Sequence, residues 1–316
     1  MSGRVVLVDG NALAHAAWHG YPERIGDDGL SYRALHGFFS KIHRLDRDYE
    51  WDELLVVFDP PEGSLYRKGL YSAYKAHRPE PDTDLVRQLL LIEEVLVDFG
   101  VQTLKVPGVE SDDVIGTLSR LRSSAGAMVM IVTPDKDMAQ LVNERVGLLR
   151  PLRGAAAIDT PFDYLSEEGV VGKFGVRASQ IADWLALIGD VSDNIPGVKG
   201  VGPKKATQLI AEYGDVRTLL THVDNLKGKL KDELLVSRDT MEIIVKLTTI
   251  QTELDMSSWI VRNAPIQDDR KDFWRRKASM PQWMGAFSFS DKLHDQTSIF
   301  EDSTGSEVLI EDSHPF

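Results

Sequence analysis

The chain has 316 residues, a hydrophobic content of 42% and no cysteine. This length fits one large α/β domain, or one domain plus a smaller module, with enough apolar residues for a buried core. The lack of cysteine excludes disulfide frameworks and zinc–thiolate sites and favours a reducing cytoplasm. No apolar run reaches the length of a membrane span and no signal peptide is present, so we expect a cytoplasmic protein with no membrane partner.

The net charge of −13 at first argues against a nucleic-acid partner. From Asp291 onward, however, seven acidic residues stand against a single base, Lys292, and this acidic segment is expected to be disordered. Local patches decide binding more than net charge does, so nucleic acid is not excluded.

Short apolar runs predict β-strands, and an acid directly follows two of them. Asp9 and Asp59 stand at the carboxyl ends of the first two strands, where open α/β sheets bind ligands. For Asp9 alone, capping of the next helix is an equally good interpretation. Strands are predicted over residues 4–8, 54–58, 101–106, 127–132, 146–149 and 155–158. Helices are predicted over 12–19, 31–46, 85–99, 111–121, 138–142, 161–175, 178–188, 204–213, 216–220 and 237–247.

Two further acidic clusters lie beside predicted strands. Glu110, Asp112 and Asp113 crowd the first turn of a helix, where helix-dipole complementarity of about 0.3–1 kcal/mol each offsets only part of their repulsion. Asp135 and Asp137 are two residues apart, so in an extended loop they point to the same side. A divalent cation would turn this crowding into attraction.

Basic and aromatic residues alternate between positions 60 and 78. Such interleaving suits single-stranded nucleic acid, because bases stack on rings while cations neutralise phosphates. The alternative is a solvated loop whose tyrosines cover the core. The residues are Tyr66, Arg67, Lys68, Tyr71, Tyr74, Lys75 and Arg78.

The stretch 189–206 combines carboxylates with a glycine-rich hairpin. Glycines let the backbone turn tightly with N–H groups outward, and Pro203 opens a helix. Together with three lysines, the hairpin and the helix N-terminus predict a site that binds the phosphate backbone independently of base sequence. Asp190 and Asp193 precede the hairpin; a Gly/Pro-rich surface loop with an incidental Asp pair is the alternative. The residues of this phosphate-binding site are Gly197, Lys199, Gly200, Gly202, Lys204 and Lys205.

Nine carboxylates thus form a hard-oxygen ligand set that suits Mg²⁺ or Mn²⁺ and not zinc. Two such ions roughly 3.5–4 Å apart can activate water and bind the attacking and leaving oxygens of a phosphodiester. The candidate ligands are Asp9, Asp59, Glu110, Asp112, Asp113, Asp135, Asp137, Asp190 and Asp193.

Seven motifs appear in a fixed order: Val8–Gly10, Val57–Asp59, Tyr74–Arg78, Gly108–Asp113, Asp135–Asp137, Gly189–Asn194 and Gly197–Gly202. In this order the chain resembles, over about residues 4–250, the 5′-nuclease family of bacterial and phage flap endonucleases and the 5′→3′ exonuclease domain of DNA polymerase I. The resemblance implies an α/β fold with a mixed central sheet flanked by helices, PIN-like, and a helix–three-turn–helix module at about 186–214. We expect a nuclease core over 1–185 with a basic arch at 60–81, a DNA-binding region over 186–270, and an extension over 271–316.

The resemblance also assigns roles to residues. One metal is chiefly served by Asp9, Asp59, Glu110 and Asp112, and the second by Asp113, Asp135, Asp137, Asp190 and Asp193. Lys75 and Arg78 are catalytic, holding the scissile phosphate and the 5′ strand. Arg67, Tyr74 and the hairpin residues contact DNA, with Tyr74 stacking on an unpaired base. Val198 and Val201 lie near a potassium ion bound by hairpin carbonyls. Ser111 stands where many members have alanine and is not expected to touch a ligand.

The sequence therefore predicts a monomeric, divalent-metal-dependent, structure-specific 5′ nuclease of a bacterial or phage-infected cell. It would cut 5′-flap, nicked, gapped or 5′-ended duplex DNA, and RNA primer strands, to give 5′-phosphate and 3′-hydroxyl ends in replication and repair. The alternative from another class is a non-catalytic DNA-junction binding protein, and within the nucleases a largely exonucleolytic enzyme.

Overall fold

The computed structural model describes residues 3–152, 162–257, 259–263 and 309–312. These residues form a mixed α/β fold with one sheet of eight strands. The strands are β1 (Arg4–Asp9), β2 (Glu53–Phe58), β3 (Gln102–Lys105), β4 (Met128–Val132), β5 (Val146–Pro151), β6 (Phe162–Leu165), β7 (Ile260–Asn263) and β8 (Leu309–Asp312).

The sheet is parallel at its centre and mixed at its edges. Its order is β6-β5-β4-β1-β2-β3-β7-β8, with β5 to β3 mutually parallel. Strand β6 runs antiparallel to β5, and β7 runs antiparallel to β3. This is the mixed central sheet that the resemblance implied.

Helices cover both faces of the sheet. They are α1 (Gly10–Gly20), α2 (Arg33–Asp48), α3 (Leu65–Leu70), α4 (Thr83–Asp98), α5 (Ser111–Ser124), α6 (Glu167–Phe174), α7 (Ile181–Ile188), α8 (Pro203–Tyr213), α9 (Val216–Thr221) and α10 (Lys229–Thr248). Short 3-10 helices cover Asp137–Leu141, Ala178–Gln180 and Val223–Asn225.

The alternation of β1 explains the two layers. Val5 and Leu7 pack into a core shared with α5, α7, α8 and α10, whereas Val6 and Val8 pack into a second core shared with α1, α2 and α4. All four side chains are fully buried, as expected for a central parallel strand covered on both faces. The fold is therefore a three-layer α/β arrangement.

Three sequence-based expectations differ from the structure. Residues 162–165, placed in a predicted helix over 161–175, instead form edge strand β6, and the helix begins only at Glu167. The helix predicted over 237–247 is part of the longer α10. The segment predicted over 138–142 is a 3-10 helix.

Several expectations fall outside the described residues. These include the strand at 155–158 and most of the acidic segment after Asp291, of which only β8 is described, as a strand parallel to β7. Within the described residues, no helix is both long and apolar enough to cross a membrane.

Candidate metal and nucleic-acid site

The carboxyl edge of the parallel sheet carries the first acidic residues of the site. Asp9 ends β1 and Asp59 directly follows β2, and the two strands are adjacent. The Asp9 carboxylate caps α1, because Oδ1 accepts the Ala12 N–H at 3.0 Å. Its other oxygen accepts the Thr133 hydroxyl at 2.9 Å from the end of β4. Asp9 is therefore a helix cap and also a member of the acidic cluster, so the two interpretations are compatible.

Burial and mutual repulsion raise the pKa values of this cluster. Burial and the nearby Asp59 and Asp135 raise the pKa of Asp9 to about 7. The pKa of Asp112 also lies well above its usual value, because of burial and then of Asp135 and Asp9. Burial and Asp135 raise the pKa of Asp137 to about 8. These carboxylates are thus close together in a setting that disfavours their charged forms.

Glu110 is balanced differently, by two cations. Lys75 Nζ lies 2.6 Å from one of its oxygens and Arg67 Nη1 lies 3.0 Å from the other. Burial alone would raise the pKa of Glu110, but Lys75 and Arg67 hold it below its usual value. Glu110 is only 4% exposed, so this pairing compensates a buried charge.

The structure corrects the expectation that Arg67 contacts DNA. Its side chain is 3% exposed and forms a two-pronged ion pair with Asp113 at 2.6 and 2.8 Å. Two of its other N–H groups donate to the carbonyls of Leu247 and Thr249 at the end of α10. Arg67 instead ties α3 to α5 and α10.

Asp113 is corrected by the same contacts. Both of its carboxylate oxygens are used by Arg67, and Oδ1 also accepts the Gln251 N–H at 2.9 Å. Asp113 therefore serves the buried Arg67 pair, and the expectation that it is a metal ligand is not supported.

Tyr74 is also buried, at 3% exposure, which contradicts the expectation that it stacks on a base. Its hydroxyl oxygen lies 3.1 Å from a Glu110 oxygen and 3.1 Å from an Asp193 oxygen, so the two carboxylates share its single proton. Tyr66, at 45% exposure, presents far more ring surface in the same segment.

The remaining acids line a cleft of about 390 Å³. Asp135 and Asp137 enter it from the loop after β4, and Asp190 and Asp193 enter from the loop after α7. Lys136 Nζ lies 2.8 Å from Asp190. Burial alone would raise the pKa of Asp190, but the contacts with Lys136 and Ser192 lower it. The cleft is also lined by Lys75, Arg78, Pro134, Arg150 and Ser192.

The two predicted catalytic cations reach this cleft. Lys75 bridges Glu110 and, at 3.7 Å, Asp193. Arg78 Nη2 lies 2.7 Å from Asp193 Oδ1, with the Arg78 side chain half exposed. Lys75 and Arg78 therefore lie together on the rim, where both face the acidic cluster.

The donor set fits hard divalent cations. Within the described part of the chain, no three acidic or imidazole groups already converge as a metal cage. The Asp137 Oδ1 oxygen is, however, buried with no hydrogen-bond partner among the residues that the structure describes. Buried carboxylate oxygens with raised pKa values and an unsatisfied oxygen suit Mg²⁺ or Mn²⁺, since a cation favours their charged forms.

The glycine-rich hairpin connects α7 to α8. A Cβ on Gly197 would lie 2.4 Å from the Ile188 carbonyl oxygen, so only glycine fits there. Gly200 has φ +79°, a left-handed conformation that favours glycine. Val198 and Val201 are buried pegs, and the Val198 carbonyl accepts the Val201 N–H at 3.0 Å. The exposed residues are Lys199, Gly200, Gly202 and Lys204, while Lys205 is half-buried.

Three polar residues that orient the carboxylates were missed from the sequence. Ser111 was expected not to touch a ligand, yet its N–H and its hydroxyl both donate to Asp59 Oδ1 at 2.8 Å. Thr133 links Asp9 to Asp135, whose N–H it accepts at 3.0 Å. The Asn11 side chain accepts the Asp59 N–H at 3.1 Å. In the sequence, the only feature that could have identified these three residues is their position beside an acidic motif.

Known proteins match this arrangement along most of the chain. Residues 4–175 match the family model of the 5′-3′ exonuclease N-terminal resolvase-like domain, and residues 176–269 match that of the 5′-3′ exonuclease C-terminal SAM fold. The 5′-3′ exonuclease of Aquifex aeolicus is 33% identical over 250 residues, covering 79% of this chain and 82% of that protein. The thermostable DNA polymerase I of Thermus thermophilus is 35% identical over 297 residues.

The polymerase match covers 93% of this chain but only 33% of the polymerase, so the chain spans a third of that relative's length. The bacteriophage T5 flap endonuclease, solved with DNA and metal ions, shares the fold with a TM-score of 0.63 at 22% identity. That likeness covers 79% of this chain and 90% of the phage protein. With two family models matching in succession, the chain belongs to the 5′-3′ exonuclease family.

Proposed function

We propose that the protein is a divalent-metal-dependent, structure-specific 5′ nuclease that hydrolyses DNA phosphodiesters. The observation that carries the proposal is the buried acidic cluster beside Lys75 and Arg78. Burial and mutual repulsion raise the pKa values of Asp9, Asp112 and Asp137. Such crowding destabilises a folded protein unless cations compensate the negative charge. Strongly shifted pKa values of this kind cluster at functional sites.

In this proposal, eight carboxylates hold two ions, Mg²⁺ by preference and Mn²⁺ as the alternative. When bound, the ions would activate water and offset charge on the phosphodiester. Asp113 is left out of the ligand set because both of its oxygens are bound by Arg67, whereas one Glu110 oxygen pairs with Lys75, the cation that the proposal assigns to the phosphate. The proposed ligands are Asp9, Asp59, Glu110, Asp112, Asp135, Asp137, Asp190 and Asp193.

The chain's own cations would position the substrate. Lys75 and Arg78 would bind the scissile phosphate from the cleft rim and stabilise its developing negative charge. Water adds to phosphorus and the P–O3′ bond breaks, which leaves a 5′-phosphate and a 3′-hydroxyl. Ser111 and Thr133 would hold Asp59 and Asp9 in orientation through the hydrogen bonds described above.

The hairpin would grip the duplex next to the cleft. Exposed Lys199 and Lys204, with the N-terminus of α8, suit phosphate contacts that are independent of base sequence. A potassium ion at the Val198 and Val201 carbonyls would add charge at the same place. The expected substrates are 5′-flap, nicked, gapped or 5′-ended duplex DNA and RNA primer strands, cut by a cytoplasmic monomer during replication and repair.

The test uses a 5′-flap DNA labelled at each end in turn, with Mg²⁺, with Mn²⁺ and with EDTA. The wild-type protein is compared with an Asp135→Asn/Asp137→Asn double variant. An Asp232→Asn/Asp239→Asn variant, which makes the same charge change at exposed positions of α10, is the matched control.

We expect the wild type and the control to cut the DNA near the flap junction only when the metal is present. The double variant should bind the DNA but not cut it. Release of mononucleotides would identify an exonuclease. Tight binding without cutting in either metal would refute the catalytic proposal and leave the junction-binding alternative.

A further inference from the structure

Two turns from distant parts of the chain are joined at the rim of the cleft. The Lys75 N–H donates to the Asp193 carbonyl at 2.9 Å, and the Asn194 side-chain amide donates to the Ala73 carbonyl at 2.8 Å. Arg78 Nε donates to the Ser192 carbonyl at 3.0 Å. Each bond uses a backbone carbonyl as the acceptor, so together they fix the register of residues 73–78 against residues 192–194.

The same two turns contain unusual backbone conformations. Among the described residues, the non-glycine residues with positive φ are Lys75 at 55° and Asn194 at 58°. Asparagine is tolerated in this left-handed region, but a long side chain such as lysine is rarely found there. Such a conformation persists when surrounding contacts over-determine it, and it clusters at functional sites.

The conformation of Lys75 decides where its ammonium lies. Its Nζ is 2.6 Å from Glu110 and 3.7 Å from Asp193, within the acidic cluster. The φ of Lys75 sets the direction of its Cα–Cβ bond relative to residues 73 and 74, and so sets where the side chain starts toward both carboxylates. The contacts that impose the left-handed turn are therefore what keep this cation in the cleft.

We propose that Asn194 is a positioning residue that holds Lys75 over the scissile-phosphate site. Its left-handed backbone turns the preceding Asp193 carbonyl toward the Lys75 N–H, while its amide anchors Ala73, two residues before Lys75. In this role the Asn194 side chain acts through its bond to the Ala73 carbonyl and not through a bond to substrate. The inference rests on the proposed nuclease function, because it gives Lys75 a phosphate to bind.

Asn194→Gly tests the proposal without a change of charge, because glycine accepts the left-handed backbone while the side chain and its amide donor are removed. Asn194→Asp is the near-isosteric counterpart that also lacks the donor. Asn143→Gly is the matched control, since Asn143 likewise makes side-chain hydrogen bonds within a turn, away from this cleft. Lys75→Ala and Lys75→Ala/Asn194→Gly complete a double-mutant cycle.

Single-turnover cleavage of the flap substrate, DNA affinity in EDTA and hydrogen exchange of residues 73–78 are measured for each variant. We expect Asn194→Gly to slow cleavage by about tenfold to a hundredfold, the scale of a displaced catalytic group, with little change in DNA affinity. Exchange of residues 73–78 should be faster than in wild type and in Asn143→Gly. In the Lys75→Ala background, the same substitution should slow cleavage no further.

Two results would overturn the proposal. One is cleavage and exchange by Asn194→Gly at the wild-type rates. The other is an equal slowing in the presence and absence of the Lys75 side chain, which would indicate a purely structural role. If wild type cut no DNA but Asn194→Gly still accelerated exchange at 73–78, the nuclease function would fail while the positioning contact stood.

Discussion

Replacing Asp9 with asparagine should stabilise the metal-free protein at neutral pH. Asp9 is 2% exposed and its pKa is raised from 3.8 to about 7 by burial, Asp59 and Asp135. An acid whose pKa rises on folding is protonated more readily in the folded state. Its folded state is therefore penalised increasingly as pH rises from 3.8 to about 7, and by a constant amount above that. Asparagine keeps the oxygen that caps α1 but carries no charge.

The size of the effect follows from the two pKa values. One pKa unit corresponds to about 1.36 kcal/mol, so the penalty is on the order of 2 kcal/mol at pH 5 and on the order of 4 kcal/mol at pH 8. The stability advantage of Asp9→Asn should therefore grow by about 2–3 kcal/mol between these pH values. At roughly 2 °C per kcal/mol for a chain of this size, the melting temperature difference should widen by roughly 5 °C.

Thermal unfolding in EDTA at pH 5 and pH 8 measures this difference directly. Asp239→Asn, an exposed acid on α10, is the control and should follow wild type at both pH values. On the proposed function, the order should reverse with Mg²⁺ at pH 8, because only the wild type would keep all eight proposed ligands and gain stability from binding the metal. A constant difference between Asp9→Asn and wild type at both pH values would refute the argument from buried, crowded charge.

Three other perturbations test separate contacts. Arg67→Met should destabilise the protein by about 3–5 kcal/mol in urea unfolding, because it leaves the buried Asp113 charge unpaired; a loss below 1 kcal/mol would contradict the buried ion pair. Gly197→Ala should weaken DNA binding measured by anisotropy, since its Cβ would clash with the Ile188 carbonyl; unchanged affinity would exclude a rigid hairpin in the contact. Lys204→Ala should lower the slope of log affinity against log salt by about one, and an unchanged slope would exclude a phosphate contact.

The strand ends and the acidic residues were predictable because they follow from simple rules. Buried parallel strands are continuous apolar runs, and their carboxyl ends share one edge, so the placement of Asp9 and Asp59 could be expected. The hairpin between α7 and α8 was also predictable, because glycines and Pro203 mark its turns.

The direction of side chains was not predictable in the same way. Arg67 and Tyr74 fit a pattern of exposed basic and aromatic side chains, yet both are buried. Arg67 is buried because α3 places it against carbonyls at the end of α10, 180 residues away in the sequence. No local pattern contains such a partner. Strand β6 was missed for a related reason, since its pairing with β5 and not its own sequence makes it a strand.

The sheet order has a consequence for how the protein acquires activity. The neighbours of β1 are β2 and β4, which lie about 50 and 120 residues later in the chain, so each contact closes a long loop and the topology has a high contact order. The acidic side chains arrive at the site from separate stretches, the last of them at Asp190 and Asp193. A partly synthesised chain therefore holds an incomplete and mutually repelling set of carboxylates. On the proposed function, cutting activity would therefore require the chain to be made at least as far as Asp193 and the loop after α7 to have docked against the sheet.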